Sequence, residues 1–272
     1  MGYDRIEMGP PFNRPRSEAS NAAAAPAPHP EAWSLARKAL QEIACLRDVE
    51  AETLNALAAQ ALLHRVPGGS VVIEQAERPV FAQILLAGSI ELLGVRDQLE
   101  TLIELLLPVD LVIPAAVIGD QPYLMRARIY HEARLLLIPA DIFRHAIASD
   151  HAFCRTILTR QAGQFRRQVR MQKNLKLRSA EERVGCYLVA LLGESQTDVA
   201  LPLPLEKRLI ASQLGMTRET FSRALAAMAK YGMRLQGDVL RVEDAAVARA
   251  RFPLDPLIDG PEPIKPLQDR NA

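Results

Sequence analysis

Residues 207–226 read KRLIASQLGMTRETFSRALA, and few folds accommodate that pattern. Ile210 and Leu214 give a first helix its apolar stripe. Ala211 is small at the point where a second helix has to cross closely. Gly215 stands where the connecting turn needs a positive φ, a conformation that costs least without a β-carbon. Thr217 is suited to cap the second helix, with Met216 buried ahead of it and Phe221 turned to the core. Arg218, Glu219, Ser222 and Arg223 then form an outward row of hydrogen-bonding side chains. An ordinary helical hairpin needs neither the glycine nor that row; together they specify a helix-turn-helix. Residues 199–205 read as a strand leading into it. Residues 233–242, with Gly237-Asp238 at a turn, read as a two-stranded wing behind it. The expected unit is a winged helix.

Charge agrees with this reading. The formal net charge is only +1, but residues 151–183 hold nine Lys/Arg against two acids, and residues 206–234 hold six against two. Basicity concentrated in one half of a near-neutral chain suits contact with a polyanion. The three cysteines, Cys45, Cys154 and Cys186, are far apart and fit neither a zinc site nor a disulfide framework. No apolar run approaches the ~20 residues that span a bilayer, and the N-terminal stretch lacks a signal-like core, so a cytoplasmic protein is expected. No phosphate loop, nucleophile elbow, metal-spaced histidine pair or acid pair points to an enzyme.

The organisation predicted from the rest of the chain is α+β. Residues 1–30, with six prolines and an alanine tract, read as a disordered tail. Residues 31–148 read as one domain. Its helical start is broken near residues 46–49, where Asp48 is placed to cap a second helix. Short strands follow at 62–66, 71–74, 80–86, 89–95, 101–107 and 133–138, with a loop and short helix interrupting at 109–124 and a last helix at 140–148. Many short strands with tight turns favour a compact β-sandwich or roll. Residues 149–178 read as one long helix. Its Leu158, Ala162, Phe165 and Val169 follow the 4-3-4 spacing of a coiled-coil seam, and packing against the β-domain of the same chain is the competing use of that stripe. The winged helix occupies 179–252, and residues 253–272 form a C-terminal tail or surface strap.

This order of units resembles the Crp/Fnr superfamily of transcription regulators over about residues 60–243. The phrase Ile84-Leu85-Leu86-Ala87-Gly88-Ser89-Ile90-Glu91-Leu92 looks like the family's glycine turn between two strands. Residues 134–143 resemble its last sensor strand and following helix. Glu219, Ser222 and Arg223 reproduce the E-x-x-S-R recognition pattern of the Fnr branch, and Arg218 adds the basic residue of the Crp branch. The resemblance implies a β-roll sensor domain over residues 31–148, and a homodimer on double-stranded DNA with TTGAT-like half-sites about one helical turn (~34 Å) apart. It implies RNA polymerase as partner if the protein activates. Arg223 is suited to guanine O6 and N7, Glu219 to an exposed amino group, and Ser222 to a base or methyl. Lys207, Arg208 and Thr217 are expected at phosphates, with Arg218 at either a phosphate or a base.

The sensor domain departs from the family's ligand patterns. Where the cyclic-nucleotide sensors carry Gly-Glu-Leu this chain has Ile113-Pro114-Ala115-Ala116, and Tyr123-Leu124 replaces the phosphate-binding Arg-Ser. With no cation to balance a buried phosphate, cAMP is not expected to bind. Three scattered cysteines do not make an iron–sulfur ligand set. Haem stays open, with His64, His131, His145, His151 and Cys154 as candidate ligands. So does a small apolar or aromatic effector in a pocket formed by Ile113, Tyr123, Leu124 and Met125, with simple filling of that space as the alternative. A ligand-binding module acting on another protein rather than on DNA is the competing functional class.

Overall fold

The computed structural model describes residues 30–97, 99–193 and 197–260. The chain opens with helix α1 (Pro30–Glu42), a single 3-10 turn (Ala44–Leu46) and α2 (Ala51–Gln60). The break falls where the sequence placed it, but Asp48 does not cap α2. The N-cap is Glu50, and its N–H donates to Asp150 Oδ2 at 3.1 Å. Asp150 also caps the long helix, accepting from Phe153 N at 2.9 Å. One buried carboxylate thus organises two helix starts 100 residues apart in sequence.

The β-roll comprises β1 (Leu62–Val66), β2 (Val71–Ile73), β3 (Phe81–Arg96), β4 (Leu99–Leu106), β5 (Asp110–Val112) and β6 (Arg126–Pro139), with short helix α3 (Pro114–Gly119) after β5. The sheet order is β1-β6-β3-β4, with β2 also on β6 and β5 on β3, all antiparallel. Two expectations change here. Gly88 is not a turn between two strands: β3 runs through it, and the register against β6 shifts at Ala87 and Ser89. Gly88 has φ +85°, and a β-carbon there would lie 2.2 Å from the Glu132 carbonyl, so it is the kink of a bulge. Strand β6 also starts at Arg126, well before the expected 133. Ala127 and Ile129 face the core, while Arg126 and Arg128 point outward to Glu74, Glu91 and Glu100.

Helix α4 (Ala140–Ser149) leads into α5 (His151–Leu177). Phe153 and Ile157 bury one face of α5 against the N-terminal helices and β-roll, with Phe143 meeting Phe153 edge-on. Farther along that face Gln164, Arg167 and Gln168 bond Asp110, Leu111 and Glu104. Helix α6 (Ala180–Leu192) begins with a capping box formed by Ser179 and Glu182. The winged helix follows as β7 (Thr197–Pro202), α7 (Lys207–Gln213), α8 (Arg218–Ala227), β8 (Met233–Gln236), β9 (Val239–Asp244) and α9 (Ala245–Arg251). Its sheet order is β7-β9-β8. Val184, Leu188, Ile210, Leu214, Phe221 and Met228 are among the side chains of its core.

The expected tails, 1–30 and 253–272, fall mostly outside the described residues. Pro30 already belongs to α1, and residues 253–260 form a turn packed on the junction of α5 and α6.

Candidate nucleic-acid interface

The helix-turn-helix is assembled as its residues dictate. Ile210, Ala211, Leu214, Phe221 and Ala224 are buried between α7, α8 and the rest of the domain. Gly215 has φ +63°, and a β-carbon there would meet the tip of Leu175, on the last turn of α5, at 2.3 Å. The turn of the reading unit therefore rests on the long helix. Thr217 caps α8, its Oγ1 accepting from Thr220 N at 3.2 Å.

Beyond that cap, Arg218, Glu219, Ser222 and Arg223 are all exposed. The Glu219 backbone N–H at the helix start, then the Thr217 hydroxyl and the two arginines, hold the Glu219 carboxyl below its usual range. An ionised carboxylate only accepts hydrogen bonds, which suits an amino group on a base edge. Arg223 has one hydrogen bond, Nη2 to Thr220 Oγ1 at 3.4 Å, which leaves most of its planar fork open.

The expected phosphate contacts are placed differently. Thr217 spends its hydroxyl on the cap. Lys207 is fastened to the wing turn, donating to Gly237 O at 2.8 Å and pairing with Asp238 at 3.2 Å. Arg208 faces the β-roll, 3.6 Å from Glu91, whose side chain is only 4% exposed. It is drawn there because α7 packs on the outer face of β3 and β4. Leu209 meets Leu93 and Leu102, and Leu102 N donates to Ser212 Oγ at 3.2 Å. Burial in this contact, then Glu206, pushes the Tyr130 hydroxyl up to about 12. Arg208 is thus a bridge between domains in this arrangement.

The wing supplies two residues that the sequence reading missed. Arg234 on β8 and Arg241 on β9 stand directly opposite each other, both exposed. Like charges facing across a strand pair repel. Gln236 and Glu243 offset this only in part, and a phosphate would offset it further. The visible signal was the repeat of arginine on both sides of Gly237-Asp238.

On α5, Leu158, Ala162, Phe165 and Val169 share one face and all are exposed, Leu158 and Phe165 at 66% each. The β-roll covers a different face, so the stripe is not what packs the helix onto its own chain.

The four expected pocket residues do not converge. Ile113 and Tyr123 are buried in the β-roll core with Met125 packed beside them, whereas Leu124 is 82% exposed. The Tyr123 hydroxyl reaches the Phe81 carbonyl at 3.4 Å, and burial raises its pKa to about 12. These side chains fill the space themselves. His64, His131, His145 and His151 are exposed on β1, β6, α4 and the start of α5, and Cys154 is half-buried on α5. Among the described residues no group of three or more His, Cys, Asp or Glu side chains is placed to hold a metal ion.

A β-roll, a long helix and a winged helix with a free recognition row define a DNA-binding regulator. A family model of the Crp-like helix-turn-helix domain matches residues 182–246. Solved structures share the wider fold. A transcriptional regulator of the Crp/Fnr family from Eubacterium rectale superposes with a TM-score of 0.60 at 15% identity, over 76% of this chain and 97% of that one. FixK2 from Bradyrhizobium japonicum gives 0.58 at 17%, over 72% and 98%. TTHB099, a Crp-family regulator from Thermus thermophilus, gives 0.56 at 17%, over 72% and 99%. No curated protein matches the sequence. The chain carries a Crp-like helix-turn-helix domain at residues 182–246 and shares the overall fold of these Crp/Fnr regulators.

Proposed function

We propose that the protein acts as a homodimer that reads a two-fold DNA site with TTGAT-like half-sites. Glu219, Ser222 and Arg223 of each α8 read base edges, and Arg218, Arg234 and Arg241 hold phosphates. The observation that carries this reading is the division of labour on α5. One face is committed to the β-roll, while Leu158, Ala162, Phe165 and Val169 stay bare along another at coiled-coil spacing. A second copy of the same helix is the partner that such a seam fits, and a dimer places two α8 helices on one duplex. RNA polymerase is the further partner if the protein activates.

The β-roll is proposed to work without cyclic nucleotide, because Ile113, Ala116 and Tyr123 pack its core at the positions where the ribose and phosphate contacts would stand. The same filling removes the motive for an aromatic effector at residues 113 and 123–125.

Sedimentation equilibrium of the Leu158→Glu/Phe165→Glu double variant tests the reading. The native chain is expected to sediment as a dimer and the variant as a monomer with at least ~100-fold weaker binding to a two-fold duplex, a loss of about 2.7 kcal/mol. A variant that stays dimeric would place the seam elsewhere.

A further inference from the structure

The chain does not end where the winged helix is complete. Helix α9 closes with Phe252, which is buried against α6; a β-carbon on Gly185 would lie 2.4 Å from its ring. From there residues 253–260 turn back across the junction of α5 and α6. That junction is only two residues long, Arg178 and Ser179, since α5 ends at Leu177 and α6 begins at Ala180. Its geometry, together with the docking of α7 on β3 and β4, sets how the reading domain is angled from the long helix.

The segment is shaped before it reaches the junction. The N–H groups of Ile258 and Asp259 donate to the Asp255 carbonyl at 2.8 and 2.7 Å. Leu257 N donates to the Asp255 carboxylate at 2.8 Å, and Asp255 N to Asp259 Oδ2 at 2.7 Å. This turn presents the Asp259 carboxylate to Arg178 as a fork-to-fork pair, Nη1 to Oδ1 at 2.6 Å and Nη2 to Oδ2 at 2.8 Å. The two side chains are 10% and 14% exposed. The same guanidinium reaches Asn174 Oδ1 on the last turn of α5 at 3.2 Å, and Lys173 Nζ reaches the Leu257 carbonyl at 3.3 Å. Sealed to α6 at one end and to α5 at the other, the segment spans the hinge.

We propose that residues 253–260 are a clasp that locks the α5–α6 hinge and thereby fixes the separation of the two recognition helices in the dimer. The second half of that statement rests on the DNA-binding reading; the first does not. A surface tail would have no use for a buried bidentate ion pair, whose partners each lose hydration and are compensated by each other and by the bonds from Asp255 N and to Asn174. The clasp leaves the α5 seam open. At about 100° per residue, Asn174 and Arg178 fall on the side of the helix opposite the 158-162-165-169 stripe, and Lys173 stands at its edge.

Two variants test it, Asp259→Ala and a chain ending at Phe252, each measured by hydrogen exchange and by DNA binding. Amides of residues 174–182 are expected to exchange at least tenfold faster in both variants, while those of α8 and the wing keep their native rates. On duplexes whose half-sites are moved apart by one or two base pairs, the native protein is expected to discriminate sharply. Both variants are expected to lose about tenfold of that discrimination. Unchanged exchange at 174–182 would overturn the clasp. Faster exchange with undiminished spacing discrimination would overturn its role in setting the separation. If the native protein bound no DNA specifically, the regulator reading would fail, and the exchange comparison would still decide whether the hinge is clasped.

Discussion

Two glycines of the β-roll share a backbone conformation but not an environment, and replacing each by alanine separates the two costs. Gly69 has φ +84°, and a β-carbon added there would meet nothing within 4 Å. Gly88 has φ +85°, but its β-carbon would sit 2.2 Å from the Glu132 carbonyl and 2.7 Å from Ala133 Cα. Left-handed backbone costs a non-glycine residue about 1–2 kcal/mol, and Gly69→Ala should lose about that. Gly88→Ala adds a collision with backbone of β6, which cannot rotate away, and overpacking of this kind costs a further ~1–3 kcal/mol. The expected loss is therefore about 2–5 kcal/mol. Urea unfolding followed by Trp33, the chain's one tryptophan and a residue of α1, reports on this domain. With a slope of ~1–3 kcal/mol/M, the two midpoints should differ by roughly 1 M. Equal losses at both glycines would refute the bulge and the close approach of β6 to it.

Three further outcomes are expected. Burial alone would raise the pKa of Asp150, but donors from Phe153, Thr53, Glu50 and Ala152 outweigh it and lower the pKa from its ordinary 3.8. Because the folded value is the lower, the stabilisation is complete above about pH 4 and is lost as pH falls through the folded value; Asp150→Ala should cost ~1–2 kcal/mol at pH 7 and flatten the acid limb of a pH–stability curve. Arg234→Ala and Arg241→Ala should each reduce the slope of log affinity against log salt by about 1, whereas Arg208→Ala, its guanidinium engaged by Glu91, should leave the slope unchanged; fluorescence anisotropy between 50 and 200 mM salt, approximate limits of the usual range, decides. Isothermal titration with cAMP should show no binding, and micromolar affinity would contradict the packed β-roll core.

The winged helix was legible in the sequence almost residue by residue, because each of its requirements is local. A small residue at a crossing, a glycine at positive φ, a hydroxyl at a cap and an arginine on an outer face are read from neighbours a few positions away. The β-roll was legible in outline. Strand β6 was half missed although Arg126 and Arg128 alternate with Ala127 and Ile129 as a half-buried strand should; the partners that make the arginines a sheet face, Glu74, Glu91 and Glu100, are distant in sequence. The same long-range dependence misplaced Asp48, whose expected role belongs to Asp150. It also misdirected Arg208, which looked like a phosphate contact until α7 was seen docked on β3 and β4. The apolar pocket failed for another reason. Composition shows that residues are apolar, but not whether they line a space or fill it, and Leu124 points away from Ile113 and Tyr123 altogether.

The most direct test of the central claim is an anisotropy titration of the purified protein against a duplex carrying TTGAT-N4-ATCAA, beside a scrambled duplex and the Arg223→Ala variant. Binding to the two-fold duplex at least ~10³-fold tighter than to the scrambled one, with Arg223→Ala reducing that preference by about 1–3 kcal/mol, is the predicted result. Equal, salt-dependent binding to both duplexes, unaffected by Arg223→Ala, would contradict it.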